Sequence, residues 1–372
     1  MLDELEAYIM RPTIAKHTSR KYCLITPCRN EAKYSPQTIE SVVRQSIPPA
    51  LWVIVDDGST DDSPKILEEY ARTFHFLKVV RRPDRGCRRV GGGVIEAFND
   101  GLSVVDLQDF EFICKLDLDL ALPPTYFETL IRRMEDDPRL GTCSGKPFFY
   151  GNGRKHDEVC GDENSVGMTK FYRRSCFEQI GGFVSEVMWD GIDCHRCRML
   201  GWKAASFSDP ELRFEHLRPM GSSQKGIWHG RKRHGEGQYF MGTGPIYLAA
   251  SALYRLGSRP RILGSLAIVW GYISAALRGV PRYGDQEFIR FLHRYQWRSL
   301  LYGKQHAVKE IDESNEATWL LRHSLPLIAL NGSAETDRVW AEDQDTVAIR
   351  GPRRRATGDA IQNAESIQGR AE

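Results

Sequence analysis

The stretch "CKLDLDLALPP" at 114–124 sets two carboxylates, Asp117 and Asp119, into a run that otherwise reads as apolar β-strand. Alternate side chains of a strand share a face, so both acids stand on one side while Leu116, Leu118 and Leu120 take the other. Two unpaired like charges side by side are costly to bury, so the pair needs either water or a cation. Oxygen ligands suit Mg²⁺ or Mn²⁺, and a cleft at a strand end leaves room for a phosphate-bearing substrate. A solvated edge strand would explain the same letters, so the flanking sequence has to choose.

Outward from this stretch the chain alternates. "YCLITP" (22–27) and "LWVIVDD" (51–57) are short β-prone runs, and between them "SPQTIESVVRQS" (35–46) carries Ile39, Val42 and Val43 at helical spacing after a Ser-Pro start. "SPKILEEYARTF" (63–74) reads as a second helix and "FLKVVRR" (76–82) as a third strand. A Gly-rich turn at 91–93 then opens the helix "VIEAFNDGL" (94–102) before the strand "FEFICKLDLD" (110–119). Such alternation predicts an α/β fold, a mainly parallel sheet with helices on both faces. Ligands of such sheets bind beyond the carboxyl ends of the strands, where Asp56, Asp57, Asp117 and Asp119 all fall.

The whole chain sets bounds. With 372 residues, 41% of them hydrophobic, it can bury a sizeable core. A formal charge of +2 does not describe a nucleic-acid binder. Nine cysteines, an odd number, and an N-terminus without an apolar core run predict reduced thiols in the cytosol. Cys194 and Cys197 make half of a zinc pattern, with Cys160 and Cys176 the nearby candidates, but no second pair follows and free thiols are expected.

The motifs "TPCRNE" (26–31), "TIESVVRQS" (38–46), "VDDGSTDDS" (55–63), "KLDLD" (115–119), "GGF" (181–183) and "WDGIDCHRCRMLG" (189–201) form an ordered series. In order and spacing the series resembles the family-2 glycosyltransferases of the type-A nucleotide-sugar fold, over roughly residues 20 to 220. The resemblance implies a nucleotide-sugar donor, a glycan or lipid-linked acceptor and a divalent metal, Mg²⁺ or Mn²⁺. It implies that Pro27, Arg29, Glu31 and Asp57 line the nucleoside pocket, that Asp119 binds the metal, and that Asp117 binds metal or ribose. His216 in "FEHLRPMG" is a further expected ligand. Family-2 members invert the anomeric centre by direct displacement, which requires a base and a means of neutralising the leaving diphosphate.

The chain departs from the family at the base. The usual pattern is Glu-Asp-x-Asp, whereas this sequence reads Asp190-Gly191-Ile192-Asp193, with Gly191 in the base position. Asp190 is the favoured substitute, beside Trp189, whose ring is expected to stack on a sugar. Asp193 is the alternative base, and a helix running from Asp193 to Leu200 and ended by Gly201 would make it a helix cap instead.

The expected organisation is an N-terminal extension (1–20), a glycosyltransferase domain (21–240), a helical C-terminal extension (241–332) and a disordered polar tail (333–372). The Gly-rich basic segment 218–240 is expected to be a mobile loop closing over the diphosphate with Arg231, Lys232, Arg233 or His234. "ILGSLAIVWGYISAAL" (262–277) is uncharged but shorter than the roughly twenty residues a bilayer span requires. "FIRFLHRYQWRSLL" (288–301) follows, with Phe288, Phe291, Leu292 and Tyr295 at helical spacing and Arg290, Arg294 and Arg298 able to face away. Together they predict peripheral attachment at the cytoplasmic face of a membrane, against the alternative of helices packed on the domain. The function expected is thus an inverting glycosyltransferase of polysaccharide biosynthesis. A sugar nucleotidyltransferase and a non-catalytic carbohydrate-binding relative are the alternatives, the first lacking its Gly-rich loop after the first strand.

Overall fold

The computed structural model describes residues 19–324 apart from 87, 88, 90, 159, 219–226 and 258–260. The expected tail at 333–372 and nearly all of the N-terminal extension lie outside the described residues. Eleven strands are described: β1 (Tyr22–Cys28), β2 (Leu51–Asp56), β3 (Leu77–Arg81), β4 (Phe112–Leu116), β5 (Leu120–Ala121), β6 (Leu140–Ser144), β7 (Lys146–Gly151), β8 (Arg154–Asp157), β9 (Thr169–Arg173), β10 (Lys203–Ser206) and β11 (Arg213–His216). Seven form a sheet in the order β10-β6-β9-β4-β1-β2-β3, in which β9 alone runs antiparallel to its neighbours. A second sheet, β5-β11-β7-β8, was not foreseen.

The large sheet is buried on both faces, so its central strands read as continuous apolar runs. On β1, Tyr22 and Leu24 join one core while Cys23 and Ile25 join the other; on β2, Trp52 and Ile54 part from Val53 and Val55 in the same way. Helices α1 (Ser35–Val43), α2 (Ser63–Thr73) and α4 (Tyr126–Asp136) cover the first face through Ile39, Leu67 and Phe127. Helix α3 (Gly92–Leu102), the short α5 (Arg174–Gln179) and Trp189 cover the second, through Ile95, Phe98 and Phe177. Each such aliphatic or aromatic burial contributes about 1.5–3 kcal/mol. The three helices expected from the periodicity before residue 140 are therefore explained by the same two apolar layers, and α4 joins them unforeseen.

The opening stretch is not one strand. β4 ends at Leu116, and the chain crosses to the small sheet at Leu120. Asp117 and Asp119 sit on the crossing itself, at the carboxyl end of β4, while Leu116, Leu118 and Leu120 stay buried.

Helix α6 spans Trp189–Met199, so it starts four residues before the expected Asp193. Its first cap is Met188, held at φ 70°, and the Met188 carbonyl accepts from the Gly191 and Ile192 amides. A methionine there announces no helix start, which is why the boundary was misread. The C-terminal end is as expected: Gly201 takes φ 86°, its amide bonds the Arg198 carbonyl and the Trp202 amide bonds Cys197, a Schellman closure.

Beyond it lie α7 (Ile227–Met241), α8 (Pro245–Tyr254), α9 (Arg261–Leu277), α10 (Gln286–Tyr302), α11 (Lys304–Ser314) and α12 (Glu316–Ser324). Of the expected mobile loop, 219–226 lie outside the described residues and 227–240 belong to α7, where Gly235 serves packing: a Cβ there would stand 1.9 Å from the Ile268 carbonyl of α9. The apolar stripe of α10 is not free for a membrane, because Phe288, Leu292 and Tyr295 pack with Ile192 of α6 and Met241 of α7. The eight described cysteines are free thiols, and Cys176 and Cys197 meet only at an Sγ–Sγ distance of 3.5 Å.

Candidate active site

The acids at the strand ends fall into two groups. On the β1–β2 side, the Asp57 carboxylate accepts from Arg82 at 2.6 Å and from Arg85, while Arg29 donates to the Asp57 carbonyl and pairs with Asp84 at 2.7 Å. Pro27 lies opposite Val55 in the β1–β2 ladder. The expected nucleoside residues are thus gathered beyond two adjacent parallel strands, and Arg82, Arg85 and Asp84 join them unforeseen.

The second group surrounds Asp119, which is buried. Arg218 Nε lies 2.5 Å and His216 Nε2 3.4 Å from its Oδ2. Arg218 also donates to Glu31 at 2.7 Å, tying the end of β1 to the crossing. Burial alone would raise the Asp119 pKa, but His216 and Arg218 overturn it and hold the carboxyl below its ordinary value. His216 Nδ1 meets Glu158 at 2.9 Å. Burial opposes the imidazolium, yet Asp119 and Glu158 prevail and push its pKa up to about 9.

A carboxylate that fixes Nδ1 and leaves Nε2 directed at Asp119 is the arrangement of an oriented metal ligand. Asp119 and His216 would fit as two donors to a hard divalent ion only as that ion displaces the Nε2 proton and Arg218, with Glu158 behind them. Among the described residues no group of three His, Cys, Asp or Glu side chains could close around a metal, so the remaining ligands would be diphosphate oxygens and water. The Asp117 carboxylate is bound by Lys115, and burial, with the nearby charge of Asp119, raises its pKa.

Lys115 also donates to the Gly167 carbonyl at 2.9 Å. The Asp190 carboxylate leans over that same glycine, its Oδ2 lying 2.9 Å from where a Cβ on Gly167 would stand. Gly167 thus adjoins both Asp190 and Lys115, the residue that binds Asp117. Gly191 looks elsewhere, for its Cβ direction leads toward Met241 of α7 and Met188.

Asp193 is neither a cap nor exposed. It is 1% exposed, and Lys170 of β9 donates to both its oxygens at 2.5 and 2.6 Å while Tyr172 donates to Oδ2. The Trp189 ring is also buried, packed against Phe183 with the Lys115 and Lys170 ammoniums 5.3 and 5.5 Å from its centre, so the expected stacking face is occupied. Burial and the charges of Arg255, Arg231 and Arg233 lower the His234 pKa to about 4, leaving it neutral where a phosphate-binding cation was expected.

Residues 23–186 match the family model for glycosyl transferase family 2. This segment is a family-2 glycosyltransferase domain. The match ends just before α6, so Asp190 lies outside it. Among curated proteins, the putative glycosyltransferase EpsH of Bacillus subtilis is 29% identical over 176 residues, 46% of this chain and 48% of its own. The beta-monoglucosyldiacylglycerol synthase of Nostoc is 25% identical over 208 residues, 51% of this chain and 42% of its own. The chain spans about half the length of the curated relatives it matches. The solved structure of GalNAc-T7 with UDP, GalNAc and Mn²⁺ shares the fold at a TM-score of 0.50, with 15% identity over 76% of this chain and 58% of that one.

Proposed function

We propose that the protein transfers a sugar, with inversion, from a nucleotide diphosphate sugar, most simply a uridine diphosphate sugar, to a glycan or lipid-linked acceptor. The observation that carries this is that Gly167 is flanked both by the Asp190 carboxylate and by Lys115, which in turn binds Asp117 at the carboxyl end of β4. Asp57, Arg29 and Glu31 bind the nucleoside side, and Asp119 with His216 hold the divalent ion, which when bound supplies positive charge to the leaving diphosphate.

Asp190 is the base. It takes the acceptor hydroxyl proton as the oxygen bonds to the anomeric carbon, and the electron pair of the breaking bond leaves on the diphosphate. An aspartate at position 191 would be directed toward Met241 of α7 and Met188, whereas Asp190 lies against Gly167. That supports the shift of the role by one residue and weighs against a non-catalytic reading of Gly191. Lys170 holds the Asp190 carbonyl at 2.7 Å and so positions the start of α6.

A lipid-linked acceptor would bring the enzyme to the cytoplasmic face of a membrane; the name of the Nostoc relative, beta-monoglucosyldiacylglycerol synthase, supports this choice. Incubating the purified protein with a panel of nucleotide sugars and Mn²⁺ tests the reading. Acceptor-dependent release of a nucleoside diphosphate is expected, and no release from any donor would remove it.

A further inference from the structure

Helix α9 has two unlike faces. Ser265, Ala267, Ile268, Tyr272 and Ala275 are buried, and the α7 backbone comes so near that a Cβ on Gly271 would stand 1.9 Å from the Lys232 carbonyl. The other face carries Ile262, Leu263, Leu266, Trp270, Ile273 and Leu277, each between 43 and 79% exposed. Positions 262, 266, 270, 273 and 277 recur at steps of three and four, so they form one stripe along the helix. The Ser265 hydroxyl donates to the Ala252 carbonyl at 2.8 Å and fixes the end of α8 beside it, where Leu253 and Tyr254 are 66 and 85% exposed. Soluble monomers seldom leave so much contiguous apolar surface without a use.

The charge along this segment is mostly positive, with Glu236 and Asp285 at its two ends. Residues 237–284 include Arg255, Arg259, Arg261, Arg278 and Arg282 and not one Asp or Glu, a net of +5 in a chain whose total is +2. Arg278 is exposed and shares Glu236 of α7 at 2.7 Å, and Arg282 lies over the Tyr239 ring. An apolar stripe flanked by cations complements a layer of anionic headgroups over acyl chains. No helix among the described residues is long and apolar enough to cross a membrane, which leaves lying on its surface.

We infer that the α8–α9 face docks on the surface of an anionic bilayer. It is this face, and not the cationic stripe of α10, that meets lipid, since the apolar side of α10 is spent on the core. The inference deepens the membrane-side reading of the acceptor and rests on it for its purpose, but it is tested without donor or acceptor.

The test is sedimentation of the full chain with phosphatidylcholine vesicles, with and without phosphatidylglycerol. Binding is expected to require phosphatidylglycerol and to fall in high salt. Leu266→Glu with Trp270→Glu should weaken it at least about tenfold, and Arg278→Gln with Arg282→Gln about fivefold or more. The arginine pair serves if the apolar variant does not fold. Equal binding to neutral and anionic vesicles, or variants that bind as wild type, would overturn the inference. So would a wild-type dimer that Leu266→Glu turns into a monomer with vesicle binding unchanged, because the face would then be covered by a second copy. Vesicle binding that persists in a protein inactive on every donor would sink the transferase reading and leave this one standing.

Discussion

Removing the Lys170 ammonium should unsettle the fold in a pH-dependent way. Lys170 and Asp193 are 0 and 1% exposed in their side chains, and besides both Asp193 oxygens the ammonium serves the Asp190 carbonyl. Burial opposes the charge on Lys170, but Asp193 overcomes this and raises its pKa. Lys170→Met would leave the Asp193 carboxylate with only the Tyr172 hydroxyl and the Cys194 amide. Breaking one side of a buried pair costs about 3–5 kcal/mol, a large share of the roughly 5–15 kcal/mol that holds a domain together.

The sign of the pH effect follows from Asp193. Burial already raises its pKa, and without the lysine it rises further. The folded variant would then hold a proton that the unfolded chain releases, so its stability should fall as pH rises above the ordinary carboxylate range. Urea unfolding of Lys170→Met at about pH 5 and about pH 8 reads this directly: the deficit against wild type should be larger at the higher pH. Lys170→Met with Asp193→Leu should recover much of the loss. A single variant within about 1 kcal/mol of wild type at both pH values would refute the account of a buried, mutually neutralising pair.

Two further outcomes follow from the same geometry. Asp119→Ala should abolish the divalent-ion dependence of uridine diphosphate sugar binding in titration calorimetry, and, because it strips Arg218 and His216 of a buried partner, it should also lower the unfolding midpoint; unchanged metal dependence would remove Asp119 and its partner His216 from the metal. Gly271→Val must push the α9 backbone from Lys232 of α7, so thermal unfolding should show a loss of about 1–3 kcal/mol; an unaffected midpoint would mean that the helices part easily.

The first half of the fold was legible because its strands and helices announce themselves locally. Ser-Pro begins α1 and α2, and apolar spacing matches each element to the layer it covers. The crossing at 117–119 was not, since the Leu-Asp alternation is the same whether the chain stays in one sheet or passes to another. The small sheet was missed for a related reason: β8 is four exposed residues, "RKHD", and its pairing with β7 is fixed by partners, not by pattern. The site was read in part. Asp119 and His216 do meet, while Arg218, Lys115 and Glu158 escaped although two carried a signal. Lys115 continues the alternation of Asp117 and Asp119, and Arg218 stands two residues after His216. Lys170, a cation inside the strand "TKFYR", marked a buried partner that had to be found elsewhere, and Asp193 is that partner.

The central claim is that the carboxylate of Asp190 takes the proton that the family usually gives to the following residue. Nucleoside diphosphate release by Asp190→Asn, at saturating donor and acceptor, tests it most directly. The account predicts a fall of about 10²- to 10⁴-fold with donor affinity unchanged. Turnover near the wild-type rate would contradict it and place the base elsewhere.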